Sequence, residues 1–338
     1  MSRVSTSVLN IAMIGAGRMG LTHAGVLQTL REVQITDVVD FSAENAAKVA
    51  ESLSAKVSEL DEVLADDSVN AVFVTTPTAT HADIVKQAAK AGKAIFVEKP
   101  VAHTLDAAQE VLEVVTKTGV PCQVAFQRRY DPAYAEVKRR IDAGELGKLE
   151  NFRAVSRDPF QPPTAFLKTC GGMLVDLGIH DFDSARFFCG EVEEVYATGT
   201  TVRSSELEAF GFKNLAVATL KFANGAVGTL ENALNTAYGY EIVCDILGEK
   251  GKYHLEKTRQ LNFEHWGSHG VSHDYPGHFD QRFPEAYAAE VVAFARNVQA
   301  GRPVNPTVAD ALESSRLAMA AQHSLDTGEI VNVQKFGE

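Results

Sequence analysis

Three side chains with the right chemistry for moving a proton stand out: Lys99, Asp176 and His180. Lys99 sits in the run Val97-Glu98-Lys99-Pro100, directly after an apolar stretch. An ammonium at the end of a strand can hold a hydroxyl and stabilise the oxyanion formed from it. Pro100 would fix the backbone beside it, through either a trans or a cis bond. Asp176 and His180 are four residues apart in a helical pattern from Met173 to Phe188, so both side chains emerge on one face. A carboxylate beside an imidazole orients the ring and raises its basicity, as a general base for an alcohol requires. The spacing alone also allows a plain surface Asp–His pair.

A second constellation binds instead of reacting. Gly15-Ala16-Gly17-Arg18-Met19-Gly20 follows the apolar strand Leu9–Ile14 and opens a helix. Gly15 permits a tight turn, Gly17 a close backbone approach to a pyrophosphate, and Gly20 close helix–strand packing. The helix N-terminus supplies free N–H groups for that phosphate. Asp40 ends the second strand about 20 residues further on, where an acid bonds ribose hydroxyls and disfavours a 2′-phosphate. The cofactor expected is therefore NAD. Thr75 and Pro77 follow another strand at the same edge, as do His81, near the start of the next helix, and Glu98. His81 reads either as a local cap or as part of that site.

The elements that must position these residues fall into two textures. Up to Phe126, short apolar strands alternate with helices, which predicts a parallel sheet covered on both faces, a doubly wound Rossmann domain over residues 1–126. Residues 127–338 are expected to form an α+β domain for substrate binding and oligomerisation. Its helices are predicted near Asp131–Ala143, Met173–Phe188, Pro284–Ala300 and Val308–Asp326. Between them, Asn224-Gly225 joins one strand pair, and Gly248–Gly251 joins Tyr240–Leu247 to Lys252–Leu255.

The chain has 338 residues and a net charge of −12, which argues against a nucleic-acid or anionic-membrane partner. No apolar run approaches the roughly 20 residues that span a bilayer, and Met1–Val8 carries no signal core. The four cysteines lack CxxC spacing and read as reduced thiols of a cytoplasmic protein. His265, His269, His273 and His278 lie among glycines and read as a loop, so no metal is expected. The acidic run Asp61–Asp67 reads as solvated surface.

The chain resembles the Gfo/Idh/MocA oxidoreductase family, through AMIGAGRMG (Ala12–Gly20), VEKP (Val97–Pro100) and FQRRYDPAY (Phe126–Tyr134). GGMLVDLGIHDFD (Gly171–Asp183), AYGYEI (Ala237–Ile242) and DQRFPEAYAAE (Asp280–Glu290) extend the likeness over nearly the whole chain. Within the family it is most similar to bacterial inositol 2-dehydrogenases. The resemblance implies an NAD-dependent oxidation of a ring hydroxyl on a cyclic polyol, with myo-inositol going to 2-keto-myo-inositol. It assigns Lys99, Asp176 and His180 to catalysis, with His180 as base. It places Arg128, Asp158 and Tyr240 at the polyol and implies a large open mixed sheet used for tetramers. Ser156 and Asp158 depart from the His and Asn usual in inositol dehydrogenases, which keeps another inositol isomer, a sugar or a glycoside open as substrate. A non-catalytic NAD-binding sensor is the reading from another class, and it has no need of all three catalytic side chains.

Overall fold

Six parallel strands in the order β3-β2-β1-β4-β5-β6 carry the first half of the chain. They are β1 (Leu9–Ile14), β2 (Val33–Val39), β3 (Lys56–Val57), β4 (Ala71–Val74), β5 (Ala94–Val97) and β6 (Cys122–Val124). The helices between them are α1 (Arg18–Leu27), α2 (Ala43–Leu53), α3 (Leu60–Ala65), α4 (Thr78–Lys90) and α5 (Leu105–Thr118). A 3-10 turn, Gln127–Tyr130, follows β6. The computed structural model describes residues 8–202, 204–261 and 263–337. Residues 1–7, and with them most of the stretch expected to lack a signal core, lie outside the described residues.

Local chemistry explains these elements. β4 and β5 are buried at every position, as strands covered on both faces must be. Ser42 caps α2 by accepting from the Asn45 N–H, and Thr104 caps α5 in the same way. α5 stops at Gly119, whose φ of 70° suits glycine. The acidic run expected as solvated surface is exposed at Asp61, Glu62 and Asp67, and it contains α3. Glu59 and Glu62 satisfy the first-turn N–H groups reciprocally, so these acids cap a helix.

The chain divides into two compact units, residues 1–130 with 285–312, and residues 131–284 with 313–338. The first therefore takes in a late segment as well as the residues before 126. Its α12 (Pro284–Gln299; numbering of the intervening elements follows below) brings Phe294 edge-on to the stacked pair Phe73 and Phe96. Burial of these rings holds the late helix to the first sheet.

The second unit is built on a seven-stranded mixed sheet. It opens with α6 (Pro132–Asp142), β7 (Leu149–Asp158), α7 (Thr164–Leu167), α8 (Met173–Asp176) and α9 (Ile179–Cys189). Then come β8 (Val192–Thr200), α10 (Ser205–Ala209), β9 (Leu215–Phe222), β10 (Val227–Leu234), β11 (Glu241–Gly248) and β12 (Gly251–Glu256). A small hairpin of β13 (His265–Gly267) and β14 (Gly270–Ser272) precedes α11 (Phe279–Arg282). After α12 the chain ends with α13 (Val308–Thr327) and β15 (Val331–Asn332). The sheet order is β12-β11-β7-β10-β9-β8-β15, and β7 pairs parallel to β10. Both expected hairpins form, β9–β10 around Asn224-Gly225 and β11–β12 around Glu249-Lys250.

Two features differ from expectation. β7, central in the sheet, is absent from the sequence reading because Arg153 and Arg157 interrupt its apolar residues. Both find carboxylates on neighbouring strands, Arg153 on Asp245 at 2.9 Å and Arg157 on Glu241 at 2.7 Å. The predicted helix from Met173 to Phe188 is two helices. Gly178 N–H reaches back five residues to Met173 O, and Asp181 N–H reaches back three to Gly178 O. A wide turn followed by a tight one interrupts the regular ladder.

Behind β5, Glu98 accepts from His23 Nε2 at 2.7 Å, with both residues buried. Burial pushes the Glu98 carboxyl up, but the His23 hydrogen bond and charge outweigh it and leave the group below the usual range. Glu290 on α12 is fully buried, and its two carboxyl oxygens have no hydrogen-bond partner among the described residues. Burial, reinforced by the charge of Glu98, pushes Glu290 well above the ordinary carboxyl range. A carboxyl with a raised folded-state value contributes fully below the unfolded value and loses that contribution as pH rises. Glu290→Gln, which cannot ionise, should therefore gain on the wild type as pH rises from 5 to 8. The gap in melting temperature should widen by several °C, on the order expected for about 1 kcal/mol or more. A gap that stays constant over that range would contradict a neutral Glu290.

Candidate active site

The turn from β1 into α1 is shaped by what does not fit there. A Cβ on Gly15, at φ +99°, would lie 2.7 Å from the Thr75 carbonyl carbon, and one on Gly20 would lie 2.2 Å from Gly15 O. Gly17 has nothing within 4 Å of a Cβ, so its side of the turn faces open space. Thr75 Oγ1 donates to Gly15 O at 2.7 Å and locks β4 to the turn. α1 starts at Arg18, and its N-cap residue, Gly17, has no side chain to cap it. A helix N-terminus beside an open glycine makes a cradle that fits a pyrophosphate.

Asp40, just past β2, is tied into the same turn. Its Oδ2 accepts the Ala16 N–H at 2.8 Å and its Oδ1 the Ser42 N–H at 2.9 Å. Asn45 Nδ2 reaches Ala16 O at 3.2 Å and Asp40 Oδ2 at 3.3 Å. Asn45 is missing from the sequence reading; its position three residues after the Ser42 cap is the only local signal. Phe41 beside Asp40 is 97% exposed, a flat apolar face next to that carboxyl. Arg18 is exposed and Met19 half-buried at the helix start.

Thr75, Pro77, His81, Glu98 and Lys99 all stand at the carboxyl ends of β4 and β5 or in the helix that follows β4. Pro77 caps α4. His81 is buried, with Nδ1 2.8 Å from Pro100 O and Nε2 2.7 Å from Thr76 O. It thus bridges the turns after β4 and β5. Burial lowers its basicity more than the two carbonyls restore it. The side chain of Glu98 turns to His23. Lys99 is half-buried, and its bond to Pro100 is cis. Arg128 is buried in the 3-10 turn after β6.

In the second unit, Asp176 ends α8 and His180 stands in the first turn of α9, both half-buried. Leu177 and Gly178 between them keep right-handed helical dihedrals, so the break leaves the pair one turn apart. A Cβ at Gly178 would meet Leu174 O at 2.7 Å and Asn232 Oδ1 at 3.1 Å, so only glycine suits this junction. Tyr240, before β11, is buried, and its N–H bonds Pro276 O at 2.7 Å. Asp158, at the end of β7, accepts the Phe160 N–H at 3.1 Å. Ser156 is fully buried and donates to Asp181.

The profile of the Gfo/Idh/MocA "oxidoreductase family, NAD-binding Rossmann fold" matches residues 9–126, and that of the "GFO/IDH/MocA C-terminal domain" matches residues 134–254. The chain is 37% identical over 321 residues to scyllo-inositol 2-dehydrogenase (NAD(+)) of Bacillus subtilis (strain 168), covering 94% of each. The chain belongs to the Gfo/Idh/MocA oxidoreductase family.

Solved structures of the family agree. A myo-inositol dehydrogenase from Corynebacterium glutamicum ATCC 13032 matches with a TM-score of 0.91 and 30% identity over 96% of this chain and 98% of that one. A scyllo-inositol dehydrogenase from Lactobacillus casei, with bound NAD(H) and scyllo-inositol, matches with a TM-score of 0.92 and 25% identity over 97% of this chain and 100% of that one. The first of the two matched stretches is the family's NAD-binding Rossmann fold, and the second its C-terminal domain. The chain is an NAD-dependent oxidoreductase.

The His265–His278 stretch expected as loop contains the β13–β14 hairpin, with Trp266 exposed on it. Among the described residues no helix is long and apolar enough to cross a membrane.

Asp40 anchors the glycine turn and is the acid expected from its spacing to hold a ribose, so Asp40→Ala should act on both. The expected result is a rise in the NAD dissociation constant of about tenfold or more, the worth of one charge-assisted hydrogen bond. Titration followed by intrinsic fluorescence or calorimetry measures it. An unchanged constant would contradict the role given to this carboxyl.

Proposed function

We propose that the chain is an NAD-dependent inositol 2-dehydrogenase, oxidising myo-inositol to 2-keto-myo-inositol. The observation that carries this reading is the joint presence of Lys99, Asp176 and His180 in a chain whose relatives of known activity are inositol dehydrogenases of both the myo and scyllo type. One further fact favours a second substrate: the relative at 37% identity is named for scyllo-inositol. The two substrates differ only in the orientation of one hydroxyl, and oxidation at that carbon gives the same ketone.

Gly15, Gly17, Arg18, Met19 and Gly20 with the N-terminus of α1 would hold the pyrophosphate of NAD, and Asp40 its ribose. Thr75 and Pro77 border the same edge, with His81 and Glu98 supporting the backbone from within the protein. NAD, when bound, supplies the hydride acceptor. Arg128, Asp158 and Tyr240 bind and orient the polyol ring. Lys99 holds the reacting hydroxyl and stabilises its developing negative charge. His180, whose Nδ1 is buried, takes the hydroxyl proton at Nε2. Asp176 orients that ring and stabilises the imidazolium.

The same reading carries a homotetramer built on the exposed face of the seven-stranded sheet, and a cytoplasmic place in sugar metabolism. Arg153, Lys252 and Lys221 are exposed on that sheet, and the four cysteines are buried thiols outside any disulfide among the described residues.

The test is NADH formation with myo-inositol, scyllo-inositol and a panel of sugars and glycosides. Turnover is expected with an inositol. Lys99→Ala and His180→Ala should each lower kcat by about 100-fold or more, with NAD binding retained. No turnover on any inositol would overturn the substrate; wild-type kcat in both variants would overturn the assigned chemistry.

A further inference from the structure

Asp181, the residue after His180, is fully buried, and its carboxyl group is gripped from below by two strands. Ser156 Oγ on β7 donates to Oδ1 at 2.8 Å, and Asn232 Nδ2 on β10 donates to Oδ2 at 2.7 Å. Ser156 and Asn232 are register partners in the parallel pair β7–β10, so they stand side by side under the start of α9. Both are fully buried. Asn232 does more than donate. Its Oδ1 lies 3.1 Å from where a Cβ of Gly178 would be, directly at the junction between the helix bearing Asp176 and the helix bearing His180. Two residues further along α9, Asp183 accepts from Ser314 Oγ on α13 at 2.9 Å, a second anchor on a different element.

The position is costly unless it serves a purpose. A buried carboxyl needs strong, well-aligned partners, and an apolar side chain would fill the same space at the sheet–helix contact without that requirement. What the polar grip provides is direction. A fork of two hydrogen bonds from adjacent strands fixes the rotation of the first turn of α9 about its axis, where non-directional apolar packing would let it slide. His180 lies in that turn, immediately after the irregular ladder at Gly178, where the backbone's own hydrogen bonds restrain it least.

We propose that Asp181, held by Ser156 and Asn232, is a positioning residue for His180: it sets the orientation from which the imidazole accepts the substrate proton. The proposal rests on the reading of His180 as that proton acceptor. It also gives Ser156, which departs from the usual inositol dehydrogenase residue, a role through the helix, by hydrogen bonding to Asp181.

The experiment compares wild type, Asp181→Asn, Ser156→Ala and His180→Ala with inositol and with the same inositol deuterated at the reacting carbon. Asp181→Asn removes the carboxylate charge and one acceptor of the fork, so that Ser156 Oγ must give up its donation and accept instead. It should lower kcat on the order of ten- to a hundredfold, as small misplacements of a reacting group do. KM for inositol and the NAD dissociation constant should stay within about threefold. The primary deuterium isotope effect on kcat should rise, because the chemical step becomes slower than product release. Ser156→Ala removes one donor with little change in volume, and should show a smaller change in the same direction. It carries the test alone if Asp181→Asn does not fold. A structural role without positioning would lower the melting temperature and leave kcat and the isotope effect unmoved in the folded enzyme; that result overturns the proposal. If His180→Ala keeps wild-type activity, the reading beneath it fails instead, and the two failures are thereby distinguished.

Discussion

The whole cofactor edge depends on a contact that admits no side chain. Where β1 turns into α1, a Cβ on Gly15 would strike the Thr75 backbone and one on Gly20 would strike Gly15 O. With hydrogen in those places, the helix packs close against β1 and β4, and its N-terminus opens beside Gly17. Asp40 and Asn45 then close the turn from the β2 side. A methyl group at either packed glycine would push the helix out and spoil the alignment of its N–H groups, which is what binds phosphate. Overpacking of this kind costs on the order of 1–3 kcal/mol even before function is counted.

Around Lys99 and His180, the residues proposed to react, the same device recurs: a buried polar group holds the backbone next to each. Next to Lys99, Glu98 is fixed by His23, and Pro100 O is met by the His81 ring. Next to His180, Asp181 is fixed by Ser156 and Asn232. Each arrangement stands on a strand end or a first helical turn, places where regular backbone bonding runs out. Directional bonds replace it there, since a reacting atom must be placed to within a fraction of an ångström.

Much of this was legible from the residues in order. Ala71–Val74 and Ala94–Val97 announce themselves as buried parallel strands by being apolar throughout, and Asn224-Gly225 marks its hairpin. The glycines and Asp40 carry their spacing on their face. What escaped depends on partners far along the chain. β7 looks too charged for a central strand until Arg153 meets Asp245 and Arg157 meets Glu241. The return of residues 285–312 to the first unit rests on Phe294 packing with Phe73 and Phe96, which no local pattern encodes. The break at Gly178 hides inside a periodicity that continues through it. The grip on Asp181 joins residues 25 and 51 positions away.

The central claim is that a ring carbon of an inositol gives up its hydrogen as hydride while the protein removes the hydroxyl proton. The most direct measurement supplies myo-inositol deuterated at C2 and follows the label by mass spectrometry of the cofactor and the ketone. The account predicts one deuterium in each NADH formed and none in the product. NADH that carries no label, with deuterium released to water, would contradict direct hydride transfer and with it the chemistry assigned to this fold.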